Sequence, residues 1–161
     1  MLFRSFYLLT PRTPGATYMV LWYEEGRALH SLYRSSYATR CKVDILLPGI
    51  MNIPTVPPEK VLTHNGLPTM PLVPHLFLKL QAWADHRVSS RPDQTRKQYT
   101  DVRDIDALLD IAVVKRVRID TKDVEWVPAS MTSAARERVK SYVVLGSMSS
   151  RTRWRALGFD V

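Results

Sequence analysis

Cysteine is almost missing from this sequence, and its scarcity limits the kinds of site that the chain can build. The 161 residues include one cysteine, Cys41, which excludes an internal disulfide and any zinc site made from several cysteines. Because Cys41 begins an apolar, strand-like run, we expect a small buried side chain and not a reactive thiol. A reducing compartment fits this composition, which favours a cytoplasmic location, with the nucleus as the alternative.

Long hydrophobic runs and common catalytic motifs are missing as well. No segment of the sequence reaches the roughly 20 apolar residues that a membrane-spanning helix needs, so we expect no membrane partner. The nucleophile elbow, the phosphate-binding and dinucleotide-binding loops and the zinc-protease motif are also absent. The 4 histidines are scattered, and we expect surface or packing residues and not zinc ligands.

Basic residues are in excess over acidic ones. The chain has 23 Lys and Arg against 15 Asp and Glu, a formal net charge of +8, and the excess is spread along it without a basic tail. Such a surface attracts the phosphate groups of nucleotides, and of nucleic acids whatever their sequence. Nucleoside triphosphates or nucleic-acid phosphates are therefore the expected partners, set against a basic surface that serves only solubility. Nothing in the composition indicates an oligomeric state.

Length and composition predict one folded domain over residues 1–161. Hydrophobic residues make up 45% of the chain and charged residues 24%, which is typical of a globular protein. The parts that we distinguish are a strand-rich part over 1–50, a proline-rich wrap over 51–73 and a helical part over 74–161. Strands followed by helices indicate an α+β fold, with a small antiparallel or mixed sheet and a helical C-terminal part.

The expected elements follow from residue type and periodicity. Strands are predicted over 5–9, 17–23 and 41–47, the second and third as antiparallel neighbours. Proline spacing up to Pro74 forbids a long helix and indicates an extended surface segment. Helical periodicity predicts one helix from Pro74, one with Thr100 as its N-cap, one over about 132–145 before Gly146, and a short one over 151–157.

Asp44 is the first candidate for chemistry, because aspartate is depleted in strands. It lies in the apolar run Lys42-Val43-Asp44-Ile45-Leu46-Leu47, in which Lys42 and Asp44 share one face. One interpretation is an edge strand with a solvated face. The other is a metal-ligating carboxylate beside a phosphate site.

The second candidate is a pair of helices that carry opposite charges. Lys79 and Arg87 lie on the first helix, Lys97 lies on the polar connection, and Asp101 and Asp104 lie one turn apart on the second helix. Antiparallel packing of the two helices brings Lys79 or Arg87 towards the aspartates. The result is either an ion-pair cluster that fixes the packing or a positive pocket for nucleotide phosphates.

The order of these features resembles the nucleotidyltransferase-like superfamily. The features are, in order, a strand with a central aspartate, a proline-rich wrap, a Leu-Lys-Leu-Gln-Ala helix ending in arginine, and a Lys…Asp-x-x-Asp helix. The chain looks most similar to fungal uncharacterised nucleotidyltransferase-like proteins and, more distantly, to AbiEii-type toxin nucleotidyltransferases. The resemblance covers most of the chain up to about Gly146, and the run over 79–105 is its most specific part.

The resemblance implies transfer of a nucleotidyl group from a nucleoside triphosphate by two Mg²⁺ ions held on three carboxylates. Asp44 matches the third carboxylate and would be both catalytic and metal-binding. The residues that would contact nucleotide are Lys79, Arg87, Lys97, Asp101 and Asp104. The Gly-Ser loop and the Asp-x-Asp pair that supply the other two carboxylates are absent, and only Glu24 and Glu25 are acidic before Asp44.

We therefore expect an N-terminally truncated or catalytically incomplete nucleotidyltransferase-like protein. It would be a magnesium-dependent enzyme only if an N-terminal extension or a partner supplied the missing carboxylates, and otherwise it would need no cofactor. The alternatives are a non-catalytic module that binds nucleotide or RNA phosphates, and an interaction protein that depends on a partner.

Overall fold

The structure is a computed structural model that describes residues 4–11, 15–25, 40–45 and 47–161. Strands come first and helices follow, which confirms the predicted α+β fold. The chain divides into two compact units, Met1–Leu47 and Pro48–Val161, and each is described by itself. This division lies close to the predicted end of the strand-rich part, while a single domain over 1–161 stays a prediction.

Among its described residues, the first unit contains a 3-stranded antiparallel sheet in the order β1-β2-β3. Its strands are β1 (Arg4–Leu9), β2 (Val20–Glu25) and β3 (Arg40–Val43). The pairing of β2 with β3 confirms the predicted antiparallel neighbours. Phe6 lies opposite Tyr23 with the ring centroids 5.1 Å apart, so a cross-strand aromatic pair strengthens the contact of β1 with β2.

Strand β3 is shorter than the strand predicted over 41–47. Its pairing with β2 ends at Val43, which lies opposite Leu21, so Asp44 follows the strand and does not lie inside it. Outside the ladder the carboxylate stays hydrated, which avoids the cost of burying a charge. Cys41 is exposed, contrary to the expected burial, because β3 is an edge strand of this sheet.

The proline-rich segment contains short elements and no long helix, as its proline spacing predicts. A 3₁₀ turn, Pro58–Lys60, precedes a hairpin of β4 (Leu62–His64) and β5 (Leu67–Thr69). Asn65 and Gly66 join these strands with φ of 51° and 78°, as in a type I′ turn. The extended segment that was predicted is thus refined into a hairpin, because Asn-Gly favours this turn.

In the part of the chain that the structure describes, five α-helices form most of the second unit. They are α1 (Leu72–Val88), α2 (Pro92–Thr95), α3 (Gln98–Val114), α4 (Ala129–Leu145) and α5 (Arg151–Ala156). Helix α3 begins before the predicted N-cap Thr100, because Lys97 already has helical backbone angles of φ −67° and ψ −22°. None of the helices described is both long enough and apolar enough to cross a bilayer.

The core of this unit is built around a chain of edge-to-face aromatic rings. Trp83 lies 4.9 Å from Tyr142, Tyr142 lies 6.0 Å from Trp154, and Trp154 lies 5.0 Å from Phe159, between ring centroids. Phe77 adds a further contact to Phe159 at 6.0 Å. The apolar stripes predicted for α1 and α3 supply the aliphatic residues buried around them, namely Leu76, Leu80, Ile105, Leu109 and Ala112.

Helix α4 ends before Gly146, as predicted, and the space at this position admits only glycine. Gly146 has φ −102°, a backbone conformation that any residue can adopt. A Cβ atom at this position would lie 2.8 Å from Cδ2 of Tyr142. The Tyr142 ring is fully buried against Trp83 and cannot move aside, so the close approach requires glycine.

Helix α3 ends in a Schellman-type cap with arginine at the position where glycine is usual. The Val117 N–H donates to the Ala112 carbonyl at 2.9 Å, and the Arg116 N–H donates to the Val113 carbonyl at 3.0 Å. Arg116 has φ 52°, a left-handed conformation that costs a residue with a side chain about 1–2 kcal/mol. The cap is therefore complete but strained.

Replacing Arg116 by glycine should raise the free energy of unfolding by up to about 1 kcal/mol, because the relief of strain exceeds the added freedom of the unfolded chain. Chemical denaturation measures the change. Arg116→Ala is the matched control, since it removes the same charge and keeps the strain. Equal stability of the glycine and alanine variants would contradict this account of the cap.

Candidate functional site

Asp44, the predicted catalytic and metal-binding residue, lies on an exposed surface just after β3. The Nζ atom of Lys42 is 2.8 Å from Asp44 Oδ1, and 66% of the Asp44 side chain is exposed. The two residues lie on the same side of the chain, as their alternation predicts. An exposed ion pair of this kind contributes about 0–1 kcal/mol to stability. The pair with Lys42 therefore accounts for the position of the Asp44 side chain without a bound ligand.

The surroundings of Asp44 do not fit a magnesium site as they stand. A pair of catalytic Mg²⁺ ions needs several anionic oxygens, whereas the charged neighbour of Asp44 is the Lys42 cation. Within residues 4–11, 15–25, 40–45 and 47–161, no group of three or more His, Cys, Asp or Glu side chains could hold a metal ion. A magnesium requirement stays a prediction that depends on carboxylates outside these residues.

The second predicted cluster does come together, between α1 and α3. Lys79 Nζ donates to Asp104 Oδ2 at 2.7 Å, with 34% and 40% of the two side chains exposed. His86 Nδ1 lies 2.6 Å from Asp101 Oδ2. A later residue of α1 thus meets an earlier residue of α3, which is the antiparallel packing that the sequence predicts. Whether these residues also contact nucleotide stays a prediction.

His86 is the partner that sequence reasoning missed. Asp101 is 5% exposed, and a carboxylate withdrawn from water needs a hydrogen-bond donor. The expected donors were Lys79 and Arg87, but Lys79 binds Asp104 and Arg87 does not reach either aspartate. The available signal was the spacing of His86, which is seven residues after Lys79 and therefore close to it on one face of α1.

Arg87 and Lys97 lie at the end of the helix pair where α1 stops and α3 begins. The guanidinium carbon of Arg87 is 5.5 Å from the centre of the Trp83 ring, a cation–π contact that leaves the donors available. Both residues are exposed. Two aspartates of the following segment are bonded to other residues: Asp93 in α2 pairs with Arg91 at 2.9 Å, and Asp101 in α3 bonds to His86.

The connection between α1 and α3 is folded, although a polar loop was expected. Ser89 Oγ donates to Gln94 Oε1 at 2.9 Å, and Thr95 Oγ1 donates to the Ser89 carbonyl at 3.0 Å. Helix α2 lies within this connection, and the bonds tie it to the end of α1. The basic residues around it are therefore presented on a defined surface.

That surface contains a shallow depression of about 380 Å³ with a basic and an aromatic side chain. Its lining residues are Ser90, Pro92, Thr95, Arg96, Gln98 and Tyr99. Tyr99 is 70% exposed, which is unusual for an aromatic ring, and Arg96 is exposed beside it in the chain. Sequence reasoning missed both residues, although the run Arg96-Lys97-Gln98-Tyr99 places two cations two and three residues before an aromatic ring.

A separate polar cluster joins α3 to the C-terminal elements. Arg153 Nη2 lies 3.0 Å from Asp106 Oδ1, and Arg153 Nη1 lies 2.8 Å from Asp110 Oδ1. Ser147 Oγ donates to Asp106 Oδ2 at 3.3 Å. Burial raises the pKa of Tyr142 well above its usual range, and the nearby Asp106 carboxylate raises it further. Because its charged and polar groups bind one another, this cluster stabilises the packing of α3 against the C-terminal elements.

His75 lies one turn before Lys79 on α1 and shares its electrostatic environment. Although His75 as a whole is exposed, neighbouring atoms partly desolvate its imidazole. This desolvation lowers the pKa of His75 below its ordinary value, the Lys79 cation lowers it further, and Asp104 opposes the shift. The folded protein therefore binds this proton more weakly than the unfolded chain does. Stability from the neutral imidazole is complete above a pH of about 6.5 and declines as the pH falls below that value.

Replacing His75 by glutamine should reduce the loss of stability on mild acidification. The wild-type midpoint of thermal unfolding should fall between about pH 7.5 and pH 5.5, and His75→Gln should fall by less. His64→Gln, an exposed position in the hairpin, is the matched control and should follow the wild type. If His75→Gln lost as much stability as the control, the proposed environment of His75 would be wrong.

No protein-family model matches this chain, and no curated protein or solved structure compared with it does so either.

Proposed function

We propose that this chain is a non-catalytic module that binds the phosphates of single-stranded RNA. The binding surface is the basic end of the α1–α3 pair, made of Arg87, Arg96, Lys97 and Tyr99. The observation that carries the proposal is that Tyr99, at the start of α3, and the nearby cations Arg96 and Lys97 are all exposed. The connection before them is folded. We call these four residues the basic end.

The charges of the basic end suit a polyanion. The formal net charge of +8 attracts phosphate-bearing molecules from a distance. The Asp93 and Asp101 carboxylates bond to Arg91 and His86. Neither forms an ion pair with Arg87, Arg96 or Lys97, although Lys97 lies close enough to Asp93 to help lower the pKa of that carboxyl. Each cation that contacts a phosphate releases a counterion, which gives an affinity that falls steeply with salt.

Tyr99 favours a single strand over a duplex or a free phosphate. An exposed aromatic ring offers a face on which an unpaired base can stack, worth about 1–3 kcal/mol, and stacking tolerates any base. Tyr99 lies in the first turn of α3 and lines the depression together with Arg96. Stacking on Tyr99 and phosphate contacts from Arg96 and Lys97 can therefore act on neighbouring nucleotides.

The interior of the helix pair is less suited to nucleotide binding than its basic end. Lys79, Asp104, His86 and Asp101 satisfy one another across the α1–α3 contact. A phosphate that took Lys79 would leave Asp104 without its partner. This supports a packing role for the three central residues of the predicted nucleotide site, Lys79, Asp101 and Asp104.

The double variant Arg96→Gln/Lys97→Gln tests the basic end. Its affinity for a labelled single-stranded RNA, measured by fluorescence anisotropy, should fall by about tenfold or more, because charge-assisted hydrogen bonds are lost. The slope of the logarithm of the binding constant against the logarithm of salt concentration should become shallower by about 1.4, at roughly 0.7 for each lost phosphate contact.

The matched control is Lys115→Gln/Arg116→Gln, an adjacent pair of exposed cations at the other end of α3. It removes the same charge from the same helix and should change affinity by less than about threefold if only the long-range field matters there. Equal losses in the two double variants would show a general charge effect and would overturn the proposed surface. Tyr99→Phe should bind the RNA with the affinity of the wild type, whereas Tyr99→Leu should bind it more weakly.

We also propose a second candidate function, nucleotidyl transfer, which is supported by the lysine and Asp-x-x-Asp pattern of the resemblance. In this case Asp44 binds Mg²⁺ together with carboxylates from outside the described residues. Titration with a nucleoside triphosphate with and without Mg²⁺ tests the candidate. Magnesium-dependent binding that Asp44→Asn abolishes supports it, and magnesium-independent binding that Asp44→Asn leaves unchanged contradicts it.

A further inference from the structure

Arg138 differs from the other partly buried cations of the described chain. Among the lysines and arginines whose burial the structure describes, Lys60, Lys79, Arg138 and Arg153 are neither buried nor exposed. Lys60 has a carboxylate oxygen at 3.3 Å, Lys79 at 2.7 Å and Arg153 at 2.8 Å. Arg138 forms neither an ion pair nor a side-chain hydrogen bond with any residue that the structure describes.

Because Arg138 has no anionic partner among the described residues, its guanidinium is available to an anionic ligand. Arginine keeps its charge at any pH that a protein tolerates. A ligand with two oxygens in one plane suits this side chain, because the guanidinium donates two parallel hydrogen bonds to such a group.

Arg138 lines a cavity of about 280 Å³ in the second unit. Ser130, Ala134 and Arg138 line one side of it and lie four residues apart, so they share a face of α4. Asn52 and Gln81 line another side. Arg138 is the only charged residue of this lining among the described residues, so the cavity has no carboxylate that would repel an anion.

The polar groups opposite Arg138 are held in place by a tight turn. The Ile53 N–H donates to the Ile50 carbonyl at 3.0 Å, and the two residues between them have φ of 53° and 60°. Asn52 Nδ2 donates to Gln81 Oε1 at 3.1 Å, and Gln81 Nε2 donates to the Met51 carbonyl at 3.4 Å. The Asn52 and Gln81 amides are thus fixed before a ligand arrives, which lowers the entropy lost on binding.

We propose that this cavity binds a small organic oxyanion, a carboxylate or a phosphate group, between Arg138 and the Asn52 and Gln81 amides. The guanidinium of Arg138 donates two hydrogen bonds to the oxyanion, and the Ser130 hydroxyl donates a third. Apolar side chains such as Ile53 and Met131 contact the rest of the ligand. The volume of about 280 Å³ suits a small metabolite and not a nucleic acid.

A neighbouring apolar cleft does not show the same selectivity. It has a volume of about 270 Å³ and is lined by apolar side chains together with Glu59, Lys60, Lys115 and Asp123. Because Lys60 already pairs with Asp123, the remaining charges there are one cation and one anion. The cleft therefore prefers neither sign, whereas the Arg138 cavity is cationic.

The test measures binding of two probes, inorganic phosphate and succinate, to the full chain by isothermal titration calorimetry and by thermal shift at constant ionic strength. One or both probes should bind with one-to-one stoichiometry and raise the unfolding temperature. Which probe binds more tightly distinguishes a phosphate ligand from a carboxylate ligand. Failure of both probes to bind would overturn the proposal.

Arg138→Gln should weaken binding of the better probe by about tenfold or more, because both guanidinium hydrogen bonds are lost. Arg136→Gln, an exposed position on the same helix, is the matched control and should change affinity by less than about twofold. Equal losses in the two variants would overturn the site. Ser130→Ala, a milder change at the same cavity, should weaken binding by a few fold and serves if Arg138→Gln does not fold.

A structural role of Arg138 predicts a different result. Without ligand, Arg138→Gln should unfold at about the same temperature as the wild type or higher, since it removes no ion pair or side-chain hydrogen bond to a described residue. A clearly lower unfolding temperature together with unchanged probe binding would show a structural residue and overturn the proposal. RNA binding at the basic end should be unaffected by Arg138→Gln, so the two sites can fail independently.

Discussion

Tyr142 is held between Trp83 and Trp154, with ring centroids 4.9 Å and 6.0 Å away, and the second unit depends on this packing. Each edge-to-face contact adds about 0.5–1.5 kcal/mol to the hydrophobic gain from burial. Because Trp83 belongs to α1, Tyr142 to α4 and Trp154 to α5, the three rings fix the positions of those helices. Gly146 is required as well, since only a residue without a Cβ fits against the buried Tyr142 ring.

The polar contacts follow from where this core holds the helices. Once α1 lies antiparallel to α3, Lys79 meets Asp104 and His86 meets Asp101. The same arrangement brings the end of α1 and the start of α3 together, and Arg87 contacts the outer part of Trp83 there. The aspartates are used inside the helix pair, whereas Arg87, Arg96 and Lys97 remain at its end. The packing of α1 against α3 thus places the paired charges in the interior of the helix pair and these three cations at its end.

Periodicity predicted the long helices α1 and α3 but not the short α2, because the stability of the long helices comes from apolar stripes that the sequence displays directly. Leu76, Leu80, Ile105 and Leu109 are all fully buried. The end of β3 was harder to predict, since it depends on where pairing with β2 stops at Leu21 and Val43. A strand's own residues do not contain that information, and Asp44 therefore lies outside the ladder.

The candidate sites were only partly predictable for a similar reason. The pairing of Lys79 with an aspartate followed from helical spacing, whereas the choice of His86 as the partner of Asp101 depends on side-chain packing. Arg138 could not be recognised from sequence. Its distinctive property is the lack of a partner among the described residues, which appears only when every other partly buried cation is seen to have one.

The proposed binding of RNA at the basic end is tested most directly by amide chemical-shift mapping. A ¹⁵N-labelled chain is titrated with a short single-stranded RNA, and the shifts of all amides are followed. The account predicts saturable changes that are largest over residues 87–103, with the Tyr99 ring protons shifted by the stacked base. Largest changes elsewhere in the chain, or no saturable change at all, would contradict it.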